Sequence, residues 1–256
     1  MTGSASVHAI YRYPVKGLSP DRLAQTALKR GATLAGDRMF AIENGPSGFD
    51  PAAPSYLPKT RFLMLMRDEA LARLVTRFDD GSHVLTIEHG GQEVARGDLS
   101  TAAGRAAVEA FFASFCVGAL RGPPRILQAA GHSFSDVARK VVSIINLASV
   151  AEIETLTGAP VNPLRFRGNL YVSGWPAWHE LGLVGSEIAA GGVRLKIVKR
   201  IVRCAATNVD PDTGIRDLDI PRTLMRHYDH MDCGIYGEVI AGGAVAEGDA
   251  VQVTEG

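Results

Sequence analysis

The sequence predicts a mixed α/β protein, mainly antiparallel β, in which a barrel or sandwich carries a few packed helices. Three observations lead there. Short runs rich in β-branched and aromatic residues alternate with turn residues through most of the chain, as strands joined by hairpins do. Helical periodicity, by contrast, is confined to a few short windows. The break Gly122-Pro123-Pro124 separates two β-rich halves, because Gly and Pro together interrupt regular structure. Domains over 1–122 and 123–256 follow from that break.

Residues 7–17, 23–45, 61–68 and 83–97 read as strands and hairpins in the first half. Leu71, Leu74, Val75 and Phe78 fall at i, i+3, i+4 and i+7, as do Val108, Phe111, Phe112 and Phe115. Each set predicts a helix with one apolar face. Asp68 is the N-cap expected for the first and Ser100 or Thr101 for the second, since their oxygens can accept from first-turn amides. Residues 44–58 hold four prolines among glycine and serine turn formers, which predicts a surface loop.

Beyond the break, residues 141–149 read as a buried strand running into a helix, where Ser149 and Glu152 form an S-x-x-E capping box. Val150, Ile153 and Leu156 then face the core. Strands follow at 169–174, 193–204, 237–243 and 249–253, with a helical turn around Pro221 to His227. The tail reads as strand, glycine turn, strand.

A chain of 256 residues buries roughly 70% of its unfolded surface, so its core needs no disulfide or metal to stand. Lys plus Arg and Asp plus Glu each number 27, which leaves no global field for nucleic acid or an anionic membrane. Any anion site must be local. Cys116, Cys204 and Cys233 form no C-x-x-C pair, which argues against a disulfide framework, a zinc ribbon or a ferredoxin-type cluster and for a reducing compartment. No basic segment followed by an apolar run opens the chain, and no apolar stretch approaches the ~20 residues that span a bilayer. The expectation is a cytoplasmic protein. No G-x-G-x-x-G or G-x-x-x-x-G-K-[ST] string supports a nucleotide site.

The most informative segment runs from Val198 to Gly214. Cys204 ends a β run and leads into Asp210-Pro211-Asp212-Thr213-Gly214, where Pro fixes φ, Asp can bond nearby amides and Gly permits reversal. A lone cysteine is ordinarily a small buried hydrophobe. Here Arg203, with Arg200 and Lys199 just before it, can stabilise a thiolate, the form that binds metal.

This segment, V-x-R-x-x-R-C-x-x-T-x-V-D-P-D-T-G, resembles the cysteine segment of the MOSC family, especially its amidoxime-reducing branch. Other pieces agree in order: Tyr13-Pro14-Val15-Lys16-Gly17, Gly36-Asp37-Arg38, Phe166-Arg167-Gly168-Asn169 with Ser173-Gly174, Gly234-Ile235-Tyr236-Gly237, and Gly248-Asp249. The resemblance implies a MOSC β-barrel core with packed helices, preceded by a β-rich N-terminal barrel domain. It also implies a molybdenum cofactor (molybdopterin with Mo) held by Lys16, Gly17, Arg38, Arg167, Arg203, Cys204 and Tyr236, with Cys204 as the metal ligand. Those residue types suit the group: fork-like cations for phosphate and pterin, a soft sulfur for the metal.

The implied reaction is two-electron reduction of an N-hydroxylated small molecule. Some bacterial relatives carry a C-terminal ferredoxin domain that this sequence lacks, so a separate electron-donor protein, a reductase or ferredoxin-like chain, is expected. Asp210 is added from its position: a carboxylate beside Cys204 could orient water or relay protons. Two rivals share the cysteine, a sulfur-transfer protein with a persulfide on Cys204 and a non-catalytic cofactor carrier. The string from His227 to Cys233 has the residue types of a metal site but lacks a second ligand segment, and His132 to Asp136 reads as a hydrophilic loop.

Overall fold

The computed structural model describes residues 4–254. Its first half contains β1 (Ser6–Arg12), β2 (Asp21–Leu23), β3 (Gln25–Leu28), β4 (Ala41–Ile42), β5 (Leu74–Phe78), β6 (Val84–His89), β7 (Gln92–Asp98) and α1 (Ala102–Phe115). There follow β8 (Ile126–Leu127), β9 (Val142–Asn146), α2 (Leu147–Thr157), β10 (Leu170–Ser173), β11 (Glu187–Ala190) and β12 (Val193–Val202). The chain closes with α3 (Ile220–Tyr228), β13 (Asp232–Ala241), β14 (Gly243–Ala246) and β15 (Val251–Thr254).

An eight-stranded sheet in the order β15-β11-β12-β13-β9-β10-β1-β2 organises the molecule. Only the β9–β10 pair within it is parallel. The sheet curls, and backbone bonds of Val7 N to Asp249 O (2.8 Å) and Val251 N to Ala5 O (2.7 Å) tie its β15 end to the start of β1. Alternation along β9 explains how it is held: Val142 and Ile144 enter the barrel core with Leu195, Ile197 and Ile235, while Ile145 joins Val150, Ile153, Ile220 and Leu224 under α2 and α3. β9 is buried on both faces, and its two polar residues are satisfied there, Ser143 by Asn169 and Asn146 by Glu180. The three-stranded sheet β5-β6-β7 packs on α1 through Leu85, Ile87, Val108 and Phe112. Among the described residues no helix is long and apolar enough to cross a membrane.

The structure corrects two of the expected helices, and the strand expected over 61–68 is a turn with one isolated bridge from Phe62 to Glu43. Leu71 to Phe78 is not a helix: a 3-10 turn over Glu69–Arg73 runs directly into β5. Leu74, Thr76 and Phe78 point inward while Val75 is 51% exposed, a period of two imposed by antiparallel pairing with β6. Asp68 caps no helix; its carboxylate accepts from Met64 N at 2.9 Å and pairs with Arg67. The second correction concerns α2, which starts before Ser149. Asn146 caps it, accepting from Ala148 N at 3.1 Å. Ser149 is buried and donates instead to Glu180 (2.9 Å), which overrides the local capping box. At α1 the expected cap holds, Thr101 Oγ1 accepting from Gly104 N at 3.0 Å. The tail divides at Gly242, but β14 pairs with β3 and β15 with β11, so the two strands beyond the turn serve different sheets.

Candidate functional site

A cavity of about 230 Å³ opens where the turn after β1, the turn before β4, the segment before β10 and the end of β12 meet. Lys16, Gly17, Arg38, Arg167, Arg203, Cys204 and Tyr236 all line it. Asp210 does not. Residues from five separated stretches of chain thus reach one space, and the backbone explains how each arrives.

Lys16 is fixed by its amide, which donates to Phe40 O at 2.8 Å. Arg38 and Arg167 both adopt left-handed backbone conformations, with φ of 51° and 50°. For a residue with a Cβ this costs on the order of 1 kcal/mol and signals a position set by its surroundings. Their guanidinium groups stack on the Tyr13 ring, 4.9 and 4.2 Å from its centroid. Arg38 donates to Arg167 O at 3.0 Å and Arg167 to Leu18 O at 2.8 Å.

Register shifts along β12, between Ile197 and Lys199 and again before Val202, bend the end of that strand toward the cavity. Lys199, Ile201 and Arg203 line the wall as a result. Arg203 is buried, stacked on Phe166, and donates from Nε to Cys233 O (2.7 Å) and from Nη1 to Phe166 O (2.9 Å). Cys204 follows in extended conformation at the start of a 3-10 turn over Ala205–Asn208, and its carbonyl accepts from Thr207 N at 3.0 Å. The strand-to-loop junction expected at Cys204 is therefore present.

The electrostatics are lopsided. Burial pushes the Lys16 ammonium downward, partly offset by Asp136. Burial likewise lowers Arg167, and the neighbouring Arg38 adds repulsion. Arg167 Nη2 and Arg203 Nη2 are buried without a hydrogen-bond partner. A desolvated donor without an acceptor costs about 1–3 kcal/mol. Such a wall suits an anion with several oxygen acceptors, and the sulfur of Cys204 beside it suits a soft metal.

Two cavity residues escaped the sequence reading. Lys59, from a 3-10 turn just beyond the proline-rich loop, donates from Nζ to Cys204 Sγ at 3.2 Å. Partial burial works against its charge, but Asp136 and the Cys204 sulfur prevail and raise it. Asp136 pairs with the Lys16 ammonium, which also donates to Phe134 O at 2.9 Å. The string from His132 to Asp136 is therefore more than a hydrophilic loop, since Phe134 is buried and Asp136 reaches into the cavity. Neither residue offered a local signal.

Asp210 faces its own turn. Its carboxylate accepts from Thr213 N (2.8 Å), Asp212 N (3.1 Å) and the buried Arg165 (2.9 Å). Gly214 at φ 69° completes the reversal. That engagement shapes the loop after Cys204 and leaves the carboxylate away from the cavity wall. The other thiols are sequestered: burial pushes Cys233 up to about 12 and Cys116 to about 11.

Comparison with known proteins gives a consistent picture. Residues 4–117 match the family model of the MOSC N-terminal beta barrel domain and residues 129–252 that of the MOSC domain. Mitochondrial amidoxime reducing component 2 of Bos taurus is 32% identical over 122 residues, 43% of this chain and 36% of that protein. Its Rattus norvegicus counterpart is 36% identical over 87 residues, 34% of this chain and 25% of that protein. The match thus spans about a third or less of these curated relatives' length. Among solved structures, the YUAD protein from Bacillus subtilis aligns over 98% of this chain and 95% of its own, with 16% identity and a TM-score of 0.45.

Proposed function

Since the chain belongs to the MOSC-domain family, whose two domain models match it in succession, we propose that its cavity holds a molybdenum cofactor and that the protein is a molybdenum-dependent oxidoreductase acting on N-hydroxylated compounds. One observation carries the reading. Lys16, Arg38, Arg167, Arg203 and Cys204 converge on a single cavity, and two of its guanidinium groups keep a buried donor free.

In this reading Lys16, Arg38 and Arg167 bind the anionic end of the cofactor by charge-assisted hydrogen bonds. Arg203 holds the opposite wall and keeps the strand end at Cys204 in place through Phe166 O and Cys233 O. Cys204 supplies the thiolate ligand. Gly17 and Tyr236 complete the wall as contacts. Asp210 shapes the loop rather than moving protons. When bound, the cofactor supplies the two-electron chemistry.

Removing an N-hydroxyl oxygen as water consumes two electrons and two protons, so the protein needs an electron source. The chain's three cysteines stand apart and cannot supply the four ligands of an ordinary iron–sulfur cluster. A separate donor protein fills that role. With every thiol free, we place the protein in a reducing compartment, the cytoplasm. The relatives matched are named amidoxime reducing components, and this reading extends that activity to the present chain.

The test is the molybdenum and pterin content of protein made in a cofactor-producing host, followed by assay with an amidoxime and reduced viologen. One molybdenum per chain and turnover are expected. The contact between Lys59 and Cys204 also suits a persulfide anion, which is the rival reading. Protein free of molybdenum with one extra sulfur on Cys204 by mass spectrometry would establish that rival.

A further inference from the structure

Asp136 stands out against the cavity around it. The space is lined by Lys16, Arg38, Lys59, Arg167 and Arg203, and Asp136 is the one carboxylate paired with Lys16. Asp37, the other acidic residue of the wall, is committed to Arg38 and to Tyr13 N (2.9 Å). The two partners differ in burial: the Lys16 side chain is 6% exposed, whereas that of Asp136 is 50% exposed. Asp136 comes from an irregular stretch between β8 and β9, so it reaches inward from the surface. Just before it the stretch is anchored, with Ser133 Oγ donating to Asp37 O (2.9 Å) and Phe134 O accepting from Lys16 Nζ (2.9 Å), so that Asp136 can move without the rest of the loop. Phe134 N donates to Arg38 O (2.8 Å) on one side, and Tyr56 Oη donates to Asp136 O (3.2 Å) from an exposed ring.

We infer that Asp136 is an internal, displaceable counter-ion, which neutralises Lys16 in the empty cavity and withdraws to solvent when an anionic group enters. The inference rests on reading the cavity as an anion-holding site. Its physical basis is an exchange at nearly constant charge. A buried ammonium that loses its counter-ion is strongly destabilised even with Phe134 O still accepting from it, so an anion facing Lys16 is favoured with the cavity empty or filled. Withdrawal of Asp136 uncovers no core, because half of the side chain already meets water. The incoming group gains Lys16, together with the unpartnered donor of Arg167. Asp136 therefore sets affinity by competing for the site.

A competitor and a structural brace predict different results. In the full chain produced without cofactor, Asp136→Asn should lower the melting temperature, since Lys16 loses its counter-ion. The same variant should bind inorganic pyrophosphate about tenfold more tightly by calorimetry, because a competing charge has gone. Saturating pyrophosphate should restore the lost melting temperature. Tyr56→Phe, a surface change that only loosens the segment, should tighten binding in the same direction by a smaller factor. Equal or weaker pyrophosphate binding by both variants would overturn the competition, whereas absence of binding by all three proteins would overturn the anion site itself. Molybdenum content of wild type made with cofactor reads the functional proposal separately.

Discussion

The ammonium of Lys59 lies 3.2 Å from the sulfur of Cys204, joining residues 145 positions apart in the chain. The thiol lies on the wall of a cation-rich cavity with a lysine donating to it, and the proposed function makes it the metal ligand. Cys204→Ser should therefore lose the metal, because a hydroxyl is a harder and poorer donor for it. Lys59→Met should retain most of it, since the ammonium neighbours the ligand without being one. Metal analysis of the two variants from the same host checks both, and equal occupancy in wild type and Cys204→Ser would remove Cys204 from the metal.

Arg167 carries a mostly buried charge, lowered by desolvation and by Arg38, and its own bonds are to a carbonyl and a ring. Arg167→Met keeps comparable bulk and removes the charge. Thermal or urea unfolding of the cofactor-free protein should show stability unchanged or raised by up to about 2 kcal/mol, as when buried ions are replaced by apolar groups. Cofactor occupancy should fall sharply. A residue serving only the fold would lower both.

How much of this was legible in the sequence depended on how far each residue's partner lay along the chain. Cys204 could be placed at a strand-to-loop junction because the residues that make the junction are its neighbours. The Leu71 to Phe78 spacing was ambiguous in itself: Leu71, Leu74 and Phe78 are buried in the observed structure, as a helix would also bury them, and only the exposure of Val75 and the pairing with β6 decide for a strand. Ser149 was misread for the same reason, its hydroxyl being claimed by Glu180, 31 residues away. Lys59 and Asp136 carried no signal at all, since a lysine after prolines and an aspartate after serine gain meaning only when the fold brings them to Cys204 and Lys16.

The pH dependence of stability should expose the pairing at Asp136. Partial burial opposes its charge, but Lys16, with Lys59 and Arg38 behind it, holds the carboxyl well below the usual range. A carboxyl depressed in the folded state contributes stability above its unfolded value, near 3.9, and loses it as pH falls through the folded value. The difference in unfolding free energy between wild type and Asp136→Asn should thus be greatest above about pH 5 and shrink toward pH 2. A difference that stays flat across that range would mean that the contact is held by packing alone.

Gly234 shows why the Gly234-Ile235-Tyr236-Gly237 segment matters physically. Its φ is 82°, and a Cβ there would sit 2.6 Å from Ile144 O and 2.9 Å from Arg203 Nη2. Gly234→Ala should destabilise the protein by about 1–3 kcal/mol through backbone strain and overpacking. It should also lower cofactor occupancy, because the guanidinium it strikes is the one beside Cys204. Retained occupancy in a folded Gly234→Ala protein would show that the free Arg203 donor is not used for binding.

Electron supply gives the last prediction. The three thiols are divided between two buried sites and the cavity wall, Cys116 and Cys233 being sequestered and Cys204 partly accessible. Among the described residues no group of three or more His, Cys, Asp and Glu side chains could hold a metal ion, and the proposed function takes its electrons from a separate protein. No dinucleotide fingerprint occurs in the sequence to bind a nicotinamide. The cavity opens beside Val202 and Lys199, both exposed, which leaves a path for a donor to approach from solvent. A brief encounter of this kind buries less than about 1,200 Å² and dissociates readily. The cofactor-loaded chain should accordingly reduce an amidoxime with reduced viologen and fail to do so with NADH alone. Sustained NADH-dependent turnover by the purified chain, with contaminating reductases excluded by immunodepletion, would show that it carries its own electron entry.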